Sequence, residues 1–225
     1  MSPLSVLLNH FYLTLDAATY RAIAESEFLR NQFAPNEIRT THRTDRSYTG
    51  LYFYGEKTYF EFFDAQTETN RAPGDSAIAF GLEHKGDTAL LQQHWLGAKR
   101  LTITRPREQN QVDWFEMLIP AGFTLESPIA VWSMEYVPSF LKEWRNPSST
   151  ADEPGIARAA VLARYKTLIA AVEKPILRDV IGLTFQADAF EYEAFAQIAT
   201  DLGYTKTMNE KGFRLSDAEG PTYHI

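Results

Sequence analysis

Two side chains capable of metal binding and acid–base chemistry fall on strand-like runs near the start of the chain. Residues 8–15 (LNHFYLTL) alternate between apolar and polar types, which places His10 on the face opposite the apolar residues. In residues 59–64 (YFEFFD), Glu61 lies on the face opposite Phe60. Because a helix-covered sheet face is apolar, Phe60 belongs there and Glu61 is predicted to point to the same side as His10.

An imidazole and a carboxylate on one face predict a divalent metal site. The chain has no cysteine, so a metal would be held by His, Asp or Glu, and these ligands suit Zn, Mn, Fe or Ni. Such a metal polarises a substrate oxygen or a bound water, and Glu61 would then act as a general base. Two simpler interpretations stay open. His10 can be hydrogen-bonded to a buried neighbour, and Glu61 can pair with Arg39, Arg43 or Arg46.

Rings and arginines nearby predict the walls of a ligand cavity. Five aromatic residues are candidates for ligand binding: Tyr12, Tyr52, Tyr54, Trp114 and Trp132. The arginines at 39, 43 and 46 are suited to clamp a carboxylate or a phosphate. Core packing and an exposed edge strand are the alternatives for these two groups. No glycine-rich phosphate loop or nucleophile elbow occurs, so we expect no nucleotide cofactor.

Two successive β-α-β-β-β units are predicted to position these residues. The first unit has a helix over 17–29 that begins at the N-cap Asp16, and strands at 8–15, 38–44, 49–54 and 58–64. The second unit has a short helix over 87–95 capped by Asp87, and strands at 77–83, 100–105, 112–119 and 129–137. A helical turn is expected after Pro138.

The C-terminal third of the chain repeats part of the first unit. The pattern D-A-x-x-Y-x-A-x-A begins at Asp16 and again at Asp188, each time after a strand with matching alternation. A polar linker is predicted at 146–155 and a long helix at 156–173. Residues 178–225 then form a partial β-α-β-β unit, with or without a closing strand at 222–225.

Composition excludes several classes of protein. The 225 residues carry a net charge of −7, which disfavours nucleic-acid binding because no basic surface answers the phosphate charge. No run approaches the roughly 18 apolar residues of a membrane-spanning helix. The first eight residues lack the basic region of a signal peptide, so a cytoplasmic location is expected.

The repeated units resemble the vicinal oxygen chelate superfamily, which includes glyoxalases and bleomycin-resistance proteins. The residues that carry the resemblance are LNHFYLTLD around His10 and TYFEFFD around Glu61. The run RTTHRTDRSYTGLYFYG is similar to an uncharacterised glyoxalase-like branch of that superfamily. The resemblance implies an α+β fold in which paired βαβββ modules form curved mixed sheets around a cavity.

The resemblance also implies metal ligands on the first and last strands of each module. His10 and Glu61 occupy these positions in the first module, and Glu135 is the counterpart of Glu61 in the second. Gly81 is nearest to the first-strand position of the second module, where the superfamily prefers a ligand. The implied ligand set is therefore His10, Glu61 and Glu135, with Glu61 and Glu135 as catalytic carboxylates.

Two functions follow as hypotheses. The first is a metal-dependent lyase, isomerase or dioxygenase that chelates vicinal oxygens of a small substrate. The second is a metal-free protein that binds or sequesters a small molecule. Residues 1–145 suffice for two paired modules, at about 1–72 and 75–145. The partial third module at 178–225 is expected to pack on the same domain, where it covers the cavity or forms a homodimer contact.

Overall fold

The computed structural model of the protein describes residues 4–67, 71–143, 155–202, 204–209, 212–216 and 222–224. Its largest feature is an eight-stranded mixed sheet curled into a half-barrel. Its strands are β1 Val6–Leu15, β2 Asn36–His42, β3 Ser47–Tyr54, β4 Tyr59–Asp64, β5 Ser76–Leu82, β6 Lys99–Arg107, β7 Asn110–Ile119 and β8 Ile129–Tyr136. All eight were predicted from the sequence to within a few residues.

The strand order shows that the two halves of the sheet have the same topology. The order across the sheet is β2-β3-β4-β1-β5-β8-β7-β6. In each half the first strand pairs in parallel with the last strand, β1 with β4 and β5 with β8. The two first strands pair antiparallel at the centre. The predicted fold class, α+β with paired βαβββ modules, is confirmed.

Five α-helices accompany the strands in the described residues: α1 Ala17–Glu25, α2 Asp87–His94, α3 Pro138–Glu143, α4 Arg158–Lys166 and α5 Ala189–Asp201. Asp16 caps α1 as predicted, since its Oδ1 accepts the amides of Ala18 and Thr19, each at 3.0 Å. The helix nevertheless ends at Glu25 rather than at residue 29. Ser26 adopts an extended conformation there, and a π-helical turn follows at Leu29–Phe33.

Helix α4 is about half as long as the predicted helix over 156–173. The chain leaves the helix at Thr167, whose hydroxyl and amide both bond to the carbonyl of Arg164. Lys174 then takes a left-handed conformation with φ 62° immediately before Pro175. A left-handed residue followed by proline is incompatible with a continuing helix at that point. The apolar residues between them therefore belong to an irregular segment.

The C-terminal segment forms a separate four-stranded sheet of β9 Gly182–Thr184, β10 Thr205–Asn209, β11 Gly212–Ser216 and β12 Thr222–His224. The order is β10-β11-β12-β9, and β12 pairs in parallel with β9. The sequence did not decide whether a closing strand exists at 222–225, and β12 shows that it does. The segment has the same element order as each half of the large sheet. Most of the predicted linker at 146–155 lies outside the described residues.

The curled sheet has two apolar faces. On the convex face Phe53 and Phe60 pack with Phe11 and with residues of α1. The aromatic rings of Phe11 and Phe60 stack at 5.3 Å, as expected for a helix-covered surface. The concave face carries the larger core and the polar side chains described below.

Candidate functional site: a cavity in the curled sheet

A cavity on the concave face collects most of the residues predicted to be functional. The space open to the centres of water molecules is about 70 Å³, several times what a single water needs. The sequence-predicted residues on its wall are His10, Tyr12, Tyr52, Glu61, Trp114 and Trp132. These residues come together on one wall because side chains alternate along the strands, as the sequence predicted.

His10 and Glu61 meet inside this cavity. They project from the neighbouring parallel strands β1 and β4, where Tyr12 is the backbone partner of Glu61. The distance from His10 Nε2 to Glu61 Oε1 is 3.7 Å. Only 5% of His10 and 6% of Glu61 is exposed, so both side chains are removed from bulk solvent.

Burial biases both groups toward their neutral forms. It lowers the pKa of His10 to about 3, because the imidazolium ion loses its hydration. It raises the pKa of the Glu61 carboxyl to about 7, while Arg39 and the hydroxyls of Tyr52 and Tyr59 act in the opposite direction. At neutral pH the imidazole is therefore uncharged, and a substantial fraction of the carboxyl is protonated.

Neighbouring side chains set the orientation of the imidazole. Nδ1 of His10 lies 2.8 Å from Oδ1 of the buried Asn9. Because an amide oxygen only accepts, Nδ1 carries the proton and Nε2 is left as the acceptor. The ring stacks on Tyr59 at 4.4 Å and meets the edge of Trp132 at 5.7 Å. The unprotonated nitrogen is thus held on the side of Glu61.

Four arginines line the same cavity: Arg39, Arg43, Arg46 and Arg71. The guanidinium of Arg39 lies between the rings of Tyr52 and Tyr165, at 4.2 and 4.5 Å from their centroids. Its Nη1 donates to Glu37 at 2.8 Å. Arg43 makes a two-pronged contact with Asp45 at 2.7 and 2.8 Å. These two cations therefore have carboxylate partners.

The other two arginines lack such partners. Arg46 lies over the ring of Tyr48 at 5.3 Å. Arg71 donates to the carbonyls of Leu125 and Ser127 and lies 5.5 Å from the ring of Tyr12. In the part of the chain that the structure describes, neither forms an ion pair with a carboxylate. Two of the four cavity arginines thus lack an ion-pair partner among the residues that the structure describes.

Sequence reasoning missed Arg71 and Tyr165 as cavity residues. Arg71 stands in a turn outside any periodic run, so no local pattern distinguishes it. Tyr165 comes from α4, far along the chain from the sheet. Only the packing of that helix over the open side of the half-barrel brings its ring to Arg39.

Tyr54 lies outside the cavity lining, in contrast to its prediction as a ligand-binding residue. Its ring is buried against Tyr165 at 5.6 Å, and its hydroxyl donates to Glu37 at 2.7 Å. Glu37 in turn holds Arg39. The face predicted for Tyr54 is correct, but the residue supports the wall instead of forming it.

Glu135 is the second departure from the predicted site. Its two carboxylate oxygens accept the backbone amides of Gly86 and Thr88, each at 2.7 Å. Glu135 thus caps the N-terminus of α2, a task predicted for Asp87, whose carboxylate instead accepts the amide of His84 at 3.0 Å. The structure does not bring Glu135 together with His10 and Glu61.

The donor set does not fit the divalent metal that the family resemblance implies. His10 and Glu61 are the right residue types, and they meet from the first and last strands of the module. Among the described residues, however, no three side chains of His, Asp or Glu come together. Four guanidinium groups also face the same space and oppose a dication. The arrangement is better suited to an anion than to a metal.

In the second half of the sheet, an arginine fills the position where a ligand was expected. A Cβ on Gly81 would lie 2.7 Å from Cδ of Arg158, which belongs to α4. Arg158 pairs with Glu83 at 2.6 Å and donates to the carbonyl of Leu8 on β1. A side chain at this position would have to displace the side chain of Arg158, which passes close to the strand there. The missing ligand is thus explained by the docking of α4.

The chain belongs to a protein family described as "Family of unknown function (DUF5829)", whose model matches residues 8–225. Among curated proteins, none matches the chain in sequence. A solved structure of a hypothetical protein from Staphylococcus aureus is similar in fold, with a TM-score of 0.52 at 9% identity. The match covers 97% of this chain and 84% of that one.

A triple mutant of 4-hydroxymandelate synthase from Streptomyces coelicolor also matches, with a TM-score of 0.35 at 11% identity. That match covers 72% of this chain and 55% of the synthase. None of the helices in the described residues is both long and apolar enough to cross a membrane.

Proposed function

We propose that the protein binds a small organic anion with an aromatic or unsaturated body in the cavity of the curled sheet, without a metal. The observation that carries this proposal is the pair Arg46 and Arg71. Both guanidiniums line the cavity, and neither has a carboxylate partner in the described part of the chain. A carboxylate or phosphate group of the ligand would accept charge-assisted hydrogen bonds from both guanidinium groups.

The ring-lined wall supports a planar body for this ligand. The ring of Tyr12 contacts Phe63 and Trp132 at centroid distances of 5.2 and 6.1 Å along one side of the cavity. Such rings favour flat, unsaturated molecules that they can contact face-on or edge-on. The indole N–H groups of Trp114 and Trp132 are buried and lack a partner among the described residues. Buried donors without acceptors are rare, and the oxygens of an anion are acceptors.

The strand order supports membership of the vicinal oxygen chelate superfamily, which is part of the same proposal. Of the two functions predicted from the sequence, we prefer small-molecule binding to glyoxalase-like metal catalysis. The reason is the composition of the cavity, in which two candidate ligands face four arginines. A protein that binds or sequesters a ligand needs no further catalytic group at this site.

Ligand titration tests this proposal. Trp114 and Trp132 line the cavity, so quenching of tryptophan fluorescence reports binding of benzoate, cinnamate or phenyl phosphate. Benzyl alcohol serves as the neutral counterpart of benzoate. We expect at least one of these anions to bind about tenfold more tightly than benzyl alcohol, the equivalent of one charge-assisted hydrogen bond.

Paired variants show whether the cavity arginines are responsible. The double variant Arg46→Gln, Arg71→Gln should lose the preference for the anion. Arg21→Gln, Arg30→Gln makes the same change of charge at two exposed positions outside the cavity and should retain it. Equal binding of anion and alcohol, or unchanged binding in the cavity variant, would refute the proposal. Stoichiometric metal in the purified protein would favour the metal-dependent alternative.

A further inference from the structure

At the inner end of the cavity, an imidazole nitrogen and a carboxyl oxygen face each other without a direct hydrogen bond. Nε2 of His10 is an acceptor because Nδ1 carries the proton that is donated to Asn9. It faces Oε1 of Glu61 at 3.7 Å, which is too long for a direct hydrogen bond. In the described residues no protein group donates to Nε2. A donor group placed between the two atoms would supply the missing partner of Nε2.

We propose that His10 Nε2 and Glu61 Oε1 bind a hydroxyl group of the ligand, so that the natural ligand is a hydroxylated organic anion. This inference rests on the proposed function and extends it to the class of ligand. The anionic group lies at Arg46 and Arg71, and the hydroxyl lies between the imidazole and the carboxyl.

The separation of the two atoms suits one oxygen. A hydroxyl oxygen at roughly 2.8 Å from each of them makes two good hydrogen bonds, and the 3.7 Å gap between Nε2 and Oε1 accommodates it. The hydroxyl donates its proton to Nε2. The carboxyl of Glu61 is the second hydrogen-bonding partner of the same oxygen.

The surrounding charges favour a hydroxyl over an ammonium group. An ammonium group also donates to both atoms, but four arginines line the cavity and repel a cation. The guanidinium of Arg39 is especially close to this end, since it stacks on Tyr52 next to Glu61 in the strand register. A neutral hydroxyl carries no such cost.

The stacking around His10 limits how far the site can adapt. The imidazole is fixed by Asn9 on one side and by the ring of Tyr59 at 4.4 Å on its face. A methyl ether cannot donate to Nε2 and also needs more room. Methoxy compounds are therefore the matched probes that retain the oxygen and lose the donor.

The test compares benzoate with its 2-, 3- and 4-hydroxy and methoxy derivatives by tryptophan fluorescence and calorimetry. We expect one hydroxybenzoate to bind about tenfold more tightly than benzoate, with no gain for the corresponding methoxybenzoate. His10→Phe retains the stacked ring and removes the acceptor. It should abolish the gain, so that this variant binds the hydroxybenzoate no more tightly than it binds benzoate.

Two further variants secure the interpretation. His94→Phe makes the same exchange at an exposed position on α2 and should retain the gain. Glu61→Met removes the second atom of the pair and should reduce the gain, so the inference is still tested if His10→Phe loses its near-ultraviolet circular dichroism.

Failures of the two proposals are distinguishable. If benzoate binds and hydroxylation adds nothing, or if His10→Phe and Glu61→Met both keep the gain, the hydroxyl site is refuted and the anion cavity stands. If none of the tested anions binds better than benzyl alcohol, the proposed function fails and the hydroxyl site fails with it.

Discussion

At the scale of single residues, the cavity combines neutral hydrogen-bonding groups with cations. His10 and Glu61 both lose hydration on folding, which favours their uncharged forms. Arg39 remains charged because it is paired with Glu37 and stacked between two rings. The inner end of the cavity is thus polar but nearly neutral, and the net charge comes from the arginines.

The raised pKa of Glu61 predicts a pH-dependent effect of Glu61→Gln on stability. The ordinary pKa is 4.5 and the folded value is about 7. The folded state therefore binds the proton more tightly, which favours folding below about pH 4.5 and is lost as the pH rises through 7. Glutamine does not ionise, so relative to the wild type the variant should gain up to about 3 kcal/mol between about pH 4.5 and about pH 8.5.

Urea denaturation of both proteins at the two pH values measures this difference. The lowered pKa of His10 affects both proteins alike and drops out of the comparison. Glu25→Gln, at an exposed position on α1, should show no such pH dependence. A stability difference between wild type and Glu61→Gln that is constant with pH would contradict the prediction.

A second residue-scale prediction concerns Glu135, the cap of α2. Glu135→Ala removes both acceptors from the amides of Gly86 and Thr88. Because one of these bonds is buried, the free energy of unfolding should fall by roughly 1–3 kcal/mol. Denaturant unfolding measures the loss. Anion binding should be retained, since Glu135 is not on the cavity wall. If Glu135→Ala lost anion binding at unchanged stability, Glu135 would be a site residue after all, as the sequence predicted.

At the scale of elements, α4 is the feature that distinguishes this cavity from an open half-barrel. It contributes the ring of Tyr165 to the cavity and buries Val161 and Leu162 in the core of the large sheet. Arg158 anchors the helix to Glu83 and to the carbonyl of Leu8. The position of the helix therefore depends on a partly buried ion pair as well as on apolar packing.

Gly81→Ala tests this anchoring. The added Cβ would lie 2.7 Å from Cδ of Arg158 and must displace that side chain. We expect a loss of roughly 1–3 kcal/mol in the free energy of unfolding and faster amide exchange in α4. Hydrogen exchange by mass spectrometry measures the second effect. Gly74→Ala is the comparison. At Gly74 the φ angle is 99° and no atom lies within 4 Å of the added Cβ, so this variant introduces backbone strain without a clash.

At the scale of the whole molecule, the charges are distributed unevenly. The chain has a net charge of −7, yet four arginines line one cavity. An acidic protein with a cationic cavity can attract small anions to one place while its overall charge disfavours polyanions such as nucleic acids.

The salt dependence of anion binding follows from this distribution. The exposed Arg46 is screened by salt, so the dissociation constant of a bound anion should rise several-fold between about 20 mM and about 500 mM NaCl. Isothermal titration with benzoate measures it. Benzyl alcohol should show little change, and a salt-independent affinity for the anion would argue against a direct role of the arginines.

Local patterns in the sequence determined the strands, the faces and the inner pair of the site. Side chains on a strand alternate with a period of two, so the positions of His10, Tyr52 and Glu61 relative to their neighbours are readable from adjacent residues. The same reasoning placed Phe60 on the helix-covered face. The fold class followed from the family resemblance that the repeated order of elements carries.

Only the tertiary structure decided what surrounds that pair. Arg71 and Tyr165 reach the cavity through a turn and a helix whose positions depend on packing against distant strands. Glu135 was assigned to the site by its place in the order of elements. Its carboxylate instead accepts two amides at the N-terminus of α2, which have no acceptor within the helix. Periodicity specifies which way a side chain points, whereas the groups that it meets depend on contacts between remote segments.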